Sequence, residues 1–286
     1  MRECASLPSS GLATVRAAFV TYLACVLVIT LGTRAFDARV PLLLPVAVHG
    51  GLLALAWWLP IDRAAGRIAW SAVVVLALPL AFSAVGFALP ALHPQPFEWR
   101  CIAFDRWLFG VDPGVALQAF LRPWLVEGLQ LAYATFYFLP VVVLVALMRS
   151  GRWPVYDEAL ATVSVGFLLS YLGYYLFPTL PPYRYLDFGG GLVGLGLAEE
   201  VHTWLDRLEA NRFDCMPSGH TMMTLVTLEL ARRHAPRLLV VLLPIAGALV
   251  LATVVLRYHY VVDVVAGIVL VPVTFRAARW SCGAPA

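Results

Sequence analysis

Eight apolar runs, each near the length that crosses a bilayer, constrain this chain more than any other feature. They fall at 15–32, 41–60, 67–90, 124–148, 156–177, 217–232, 238–257 and 259–277. A helical span needs roughly 20 apolar residues, so the sixth run is short. With 61% of its 286 residues hydrophobic, 13% charged and a mean hydropathy of +0.83, the chain has too much apolar surface for a water-soluble core. In hydrocarbon every backbone polar group must be paired within the protein, which selects helices. The fold class expected is therefore all-α, a polytopic membrane helix bundle of about eight transmembrane helices. Pro41, Pro45, Pro60, Pro140, Pro244 and Pro272 fall within or at the ends of the runs, where kinks are tolerated in membranes.

Two short stretches break the apolar pattern with titratable residues. Asp214-Cys215-Met216-Pro217-Ser218-Gly219-His220-Thr221 opens the sixth run, and Arg257-Tyr258-His259-Tyr260-Val261-Val262-Asp263 is wedged between the last two. Ionisable groups at membrane depth are costly, so their default reading is a functional site. Pro217 suits the first turn of a helix, where its missing N–H has no partner to lose. Ser218, Gly219 and His220 then sit where unpaired N–H groups and the helix dipole favour an anion. On this reading Gly219 lets the anion approach the backbone, the Ser218 hydroxyl adds a donor, and His220 stands at the rim. His259 and Asp263 are four apart, so a helix puts them on one face. A carboxylate there holds one imidazole nitrogen protonated and leaves the other as nucleophile or base. Together the parts suit displacement at phosphorus.

Pro217-Ser218-Gly219-His220 followed by His259-x-x-x-Asp263 resembles the type-2 phosphatidic-acid phosphatase superfamily of membrane enzymes. Three further segments are similar to its branch containing fungal inositol phosphorylceramide synthase. These are Phe177-Pro178-Thr179-Leu180-Pro181-Pro182-Tyr183-Arg184, His259-Tyr260-x-x-Asp263-x-x-Ala266-Gly267 and Asp105-Arg106-x-x-Phe109-Gly110-x-x-Pro113. The resemblance covers residues 95–275. It implies a phosphohistidine on His259, oriented by Asp263, with His220 protonating the leaving group and Arg184, Ser218 and Gly219 binding phosphate. The chain departs from the pattern in places. Phe177 and Tyr185 stand where the superfamily's first motif has Lys and Pro, and the chain has no lysine. Ala252 and Thr253 stand where its third motif has Ser-Arg, which leaves Arg257 as the candidate replacement charge. Gly219 stands where the synthase branch usually has Leu.

The domain organisation that follows is an N-terminal two-helix membrane extension over 1–66, a six-helix catalytic membrane core over 67–279, and a short cytoplasmic tail over 280–286. His49, in the extension, is expected to play no part in catalysis. In the connection over 91–123, His93-Pro94-Gln95-Pro96 is extended or turned. Trp99, Trp107 and Phe109 read as interfacial anchors on a short helix, with Asp105, Arg106 and Asp112 facing water. Tyr133, Phe136, Tyr137 and Phe138 cluster on the fourth helix as core. In the connection over 178–216, prolines forbid helix at first, and an amphipathic helix is expected over 195–211.

Eleven arginines, among them Arg67, Arg149, Arg152, Arg232, Arg233 and Arg237, share one side with the N-terminus in an eight-span topology. The positive-inside rule makes that side cytoplasmic, which places His220, His259, Asp263 and Arg184 on the outer face of what is expected to be a bacterial plasma membrane. A net charge of +3 is too small to argue for nucleic acid. Cys4, Cys25, Cys101, Cys215 and Cys282 show no paired spacing, and no metal or other cofactor is implied. Cys101 and Cys215 both fall in outer connections, where an oxidising compartment would let them pair.

The function expected is an integral membrane lipid phosphatase that hydrolyses a lipid phosphate or diphosphate in the bilayer. The alternative is a lipid phosphotransferase moving a phospho-headgroup to a lipid or polyol acceptor. The room left beside His220 by Gly219 favours water as acceptor. A proton-relay transporter and a metal hydrolase using His220, His259 and Asp263 as ligands are the rivals from other classes.

Overall fold

A computed structural model of the chain describes residues 10–32, 47, 50–51, 64–92, 97–208 and 213–280. Helix α1 spans Ser10–Gly32, α2 Ala64–Leu92, α3 Glu98–Phe109 and α4 Pro113–Ala116. Next come α5 (Pro123–Ala134), α6 (Leu139–Arg149) and α7 (Trp153–Leu176). The chain continues with α8 (Leu197–Leu208), α9 (Gly219–His234), α10 (Pro236–Val255) and α11 (Val261–Trp280). The described residues form no β-sheet, and the fold is the all-α polytopic bundle expected. Among them, α1, α2, α7, α10 and α11 are long and apolar enough to cross a membrane, and α5 with α6 makes a sixth span if the bent pair counts as one. Apart from residues 47, 50 and 51, the second expected span, His49 included, lies outside the described residues, as do Cys4, the His93–Pro96 turn and residues 281–286, Cys282 among them.

Helix α7 is the centre of the bundle because it is apolar on every side. Helices α1, α2, α6, α9 and α11 pack around it. Tyr22 of α1 meets Tyr171 edge-on at 6.4 Å, and Phe82 of α2 lies 5.7 Å from the same ring. Between membrane helices close approach rests on small residues. Gly267 of α11 shows this: a Cβ there would stand 2.6 Å from the Ser218 carbonyl oxygen at the start of α9.

Helix α9 is 16 residues long, shorter than a bilayer. It is wrapped by α6, α7, α10 and α11, so the buried Thr221, Thr224 and Thr227 face protein. The fourth expected helix, 124–148, is broken. Helices α5 and α6 meet at 50° across the tight turn Thr135–Tyr137. Pro140 lies in the first turn of α6; it has no N–H to donate and its ring opposes the preceding turn, so a straight helix cannot run through. Pro244 and Pro272 lie inside α10 and α11 without ending them.

The two ends of the bundle differ. At one end Arg67 pairs with Asp157 at 2.9 Å, and Arg152 donates to the His234 carbonyl oxygen at 2.6 Å. These contacts join the starts of α2 and α7 to the end of α9. Helices α7 and α10 carry the chain to the opposite end, where both titratable stretches lie, and α9 leads away from it.

Candidate active site

Helix α9 begins at Gly219, two residues later than the sequence suggests, so Pro217 precedes the cap. Ser218 is the N-cap: its Oγ accepts from the Thr221 N–H at 3.2 Å and donates to Thr221 Oγ1 at 3.1 Å. This is the ordinary cap chemistry of serine, and it turns the expected anion donor into the helix. Gly219 lies against α7. The place of its missing Cβ is taken by Tyr174 Oη, so glycine is demanded by the approach of α7, and no room is left open beside His220 on that side. The N–H groups of Gly219 and His220 have no acceptor among the described residues; they are the free donors of this helix start.

The second stretch is a reversal between α10 and α11. The Thr253 carbonyl oxygen accepts from both the Tyr258 and the His259 N–H, at 3.0 and 2.8 Å. Arg257 turns the chain with φ of 70°, a left-handed conformation uncommon outside glycine. Asp263 Oδ2 accepts from the Tyr260 N–H at 3.0 Å. The Ser218 N–H donates to the Asp263 carbonyl oxygen at 3.0 Å, which fastens the two stretches together.

Their side chains meet in a buried row. His259 Nδ1 lies 3.5 Å from Asp263 Oδ2, and His259 Nε2 lies 3.5 Å from His220 Nδ1. His220, His259 and Asp263 are 6%, 3% and 0% exposed. Tyr133 stacks on His220 at 4.5 Å with its Oη 3.5 Å from Nδ1, and Phe136 closes another side at 4.2 Å. The aromatic residues expected as core on the fourth helix thus split: Tyr133 and Phe136 wall the site, while Tyr137 and Phe138 are exposed. His220 and Asp263 face different nitrogens of His259, so the three do not converge as ligands of one metal. The atoms that do converge come from Cys215, His259 and Asp263, within 4.8 Å of one another.

The two arginines stand apart from this row. Arg257 donates to Gln118 Oε1 and to the Gly190 carbonyl oxygen, and its guanidinium covers the Phe188 ring at 4.4 Å. It anchors a loop and does not reach the histidines. Arg184 is exposed, over the Tyr183 ring at 5.5 Å. Its segment is held at the site by the Thr179–Asp214 bridge and by the Cys215 N–H, which donates to the Thr179 carbonyl oxygen at 3.3 Å.

Helix α3 corrects a further expectation. Trp99 and Trp107 are exposed as interfacial anchors, but Asp105 is buried. Its carboxylate accepts from the Val261 and Val262 N–H groups at 2.8 and 3.0 Å, capping α11 from another helix. Glu98, on the same face, accepts from the Leu180 N–H. Arg106 pairs with Asp112 in solvent. Burial pushes both the Asp105 and the Glu98 carboxyls above the usual carboxylate range. Cys101 and Cys215, expected as a possible pair, are buried free thiols.

The fold and the site together define a helical membrane bundle that carries a buried Asp–His–His row at one end. The chain belongs to the PAP2 superfamily, whose model matches residues 99–277. No curated protein and no solved structure matches it. Membership supports a phosphatase-type or phosphotransferase-type activity, and the matched residues hold the whole row together with α3.

Proposed function

We propose that the protein is a lipid phosphatase that hydrolyses a lipid phosphate or diphosphate through a phosphohistidine on His259, at the outer face of the membrane. The observation that carries this is the placement of His259 between Asp263 on Nδ1 and His220 beside Nε2, each at 3.5 Å. A carboxylate on Nδ1 keeps the proton there and leaves the Nε2 lone pair for attack at phosphorus. His220 then supplies a proton to the departing alkoxide or phosphate oxygen and afterwards takes one from the acceptor. The free N–H groups of Gly219 and His220 and the exposed Arg184 are the donors nearest to hand for the phosphoryl oxygens. No step calls for a metal.

Burial of the row favours a second reading, transfer to a lipid or polyol alcohol, because a site with both histidines 6% exposed or less admits water sparingly. The two are separated by supplying a lipid phosphate or phosphodiester donor with and without excess alcohol. Release of inorganic phosphate at a rate indifferent to the alcohol supports hydrolysis. Product formed only when the alcohol is present, bearing the donor's phosphoryl group, replaces it with transfer.

A further inference from the structure

We propose that Cys215, His259 and Asp263 form an inhibitory binding site for a zinc-class divalent cation. One ligand atom from each lies within 4.8 Å of the other two. All three side chains are buried, Cys215 at 1% exposure, His259 at 3% and Asp263 at 0%. Asp263 Oδ1 is buried without a hydrogen-bond partner among the described residues, and His259 Nδ1 meets only the other Asp263 oxygen, at 3.5 Å and outside hydrogen-bond geometry, an arrangement that folded proteins rarely tolerate without a ligand or water to fill it. Cys215 Sγ makes one weak contact, 3.2 Å from the Tyr258 carbonyl oxygen. Of the two His259 nitrogens, Nδ1 is on the cluster side, 3.5 Å from Asp263 Oδ2, while Nε2 faces His220.

A thiolate, an imidazole and a carboxylate suit zinc, leaving a fourth position for water. Zinc bonds of about 2.0–2.3 Å put neighbouring ligand atoms about 3.3–3.7 Å apart in a tetrahedron, so side-chain shifts of about 1 Å close the site. Binding releases one proton: the Cys215 thiol gives it to solvent as the thiolate forms. The neutral imidazole keeps its single proton, but an ion on Nδ1 confines that proton to Nε2. A protonated Nε2 has no lone pair for phosphorus. The inhibitory part of the proposal rests on His259 being the nucleophile, as proposed above; the binding part does not.

The test uses the purified full chain in detergent, with Co²⁺ as the spectroscopic probe and Zn²⁺ as competitor. The expected result is a thiolate-to-cobalt charge-transfer band that Zn²⁺ removes, present in the wild type and in Cys101→Ser and absent in Cys215→Ser. Zinc-edge X-ray absorption on the wild type, which needs no variant to fold, is expected to show one sulfur in the first shell. In turnover assays Zn²⁺ inhibits and a chelator restores activity. Measured against its own metal-free turnover, Cys215→Ser requires on the order of 100-fold more zinc for half-inhibition. A first shell without sulfur, or a cobalt spectrum unchanged in Cys215→Ser, overturns the site. Full turnover with the metal bound through Cys215 leaves the site standing but overturns both the inhibition and the assignment of His259 as nucleophile.

Discussion

Asp105 on α3 accepts the N–H of Val261 at 2.8 Å, and so supplies from another helix the cap that α11 lacks in its own sequence. Val262 donates to the same carboxylate. Two otherwise unsatisfied donors at the start of α11, directly before Asp263, therefore depend on one side chain.

Asp105→Ala leaves both donors unpaired, which costs about 1–3 kcal/mol of stability. The midpoint of thermal unfolding in detergent falls, and turnover falls with it because the reversal carrying His259 loosens. Asp105→Asn keeps one acceptor and loses less on both measures. Equal unfolding midpoints for wild type and Asp105→Ala would show that the cap contributes nothing.

Stability also follows pH through this helix. Burial raises the Asp105 and Glu98 carboxyls in the folded state, so between the unfolded and folded values the native chain binds more protons than the unfolded one. Their contribution is most favourable below the unfolded value of about 4, and it declines as pH climbs through the raised folded values. Thermal midpoints measured upward from about pH 4 are expected to fall in the wild type and to fall less in Glu98→Gln and Asp105→Asn. A slope that is the same in all three contradicts this.

Gly219 offers a direct test of why glycine is there. Gly219→Ala drives a Cβ into Tyr174 Oη and is expected to destabilise the protein by about 1–3 kcal/mol, as overpacking does. Removing that oxygen leaves the next neighbours, Ser170 Oγ and Tyr174 Cζ, at 3.5 and 3.6 Å, ordinary contact distances. Gly219→Ala combined with Tyr174→Phe should therefore recover most of the loss. No recovery in the double variant would show that the Tyr174 oxygen is not what demands glycine here.

Much of the site was legible in the chain because it depends on local spacing. His259 and Asp263 share a face by helical period, and Ser218 before Gly219 marks a helix start wherever it occurs. The meeting of His220 with His259 followed from the resemblance, since nothing in the spacing of residues 39 positions apart requires contact. What escaped was set by tertiary neighbours. Asp105 looked like any charge on an amphipathic helix, and only the position of α11 turns it inward. Tyr133 is buried as core, and only the packing of its ring on His220 makes it a wall of the site as well. Arg257 offered a charge at a suitable distance from the nucleophile, but the left-handed turn it occupies sends its guanidinium to Gln118 and Gly190.

The two arginines accordingly separate. Arg184→Ala is expected to lower kcat/KM by about 10- to 100-fold, the worth of a hydrogen bond to a charged group, with the unfolding midpoint unchanged. Arg257→Ala frees the loop at Gly190 and is expected to lower the unfolding midpoint, with turnover falling only as the folded fraction does. The reverse pattern would exchange their roles.

The central claim is that His259 becomes phosphorylated, and trapping the enzyme with phosphorus-labelled lipid phosphate tests it most directly. After a short incubation and an alkaline quench, wild type and Asp263→Asn are expected to carry alkali-stable, acid-labile label, at a slower rate in Asp263→Asn. His220→Ala should label poorly when the leaving group needs a proton, since a general acid contributes roughly 10²–10⁴-fold. His259→Ala should carry none. Label retained on folded His259→Ala protein at the wild-type level would contradict the assignment.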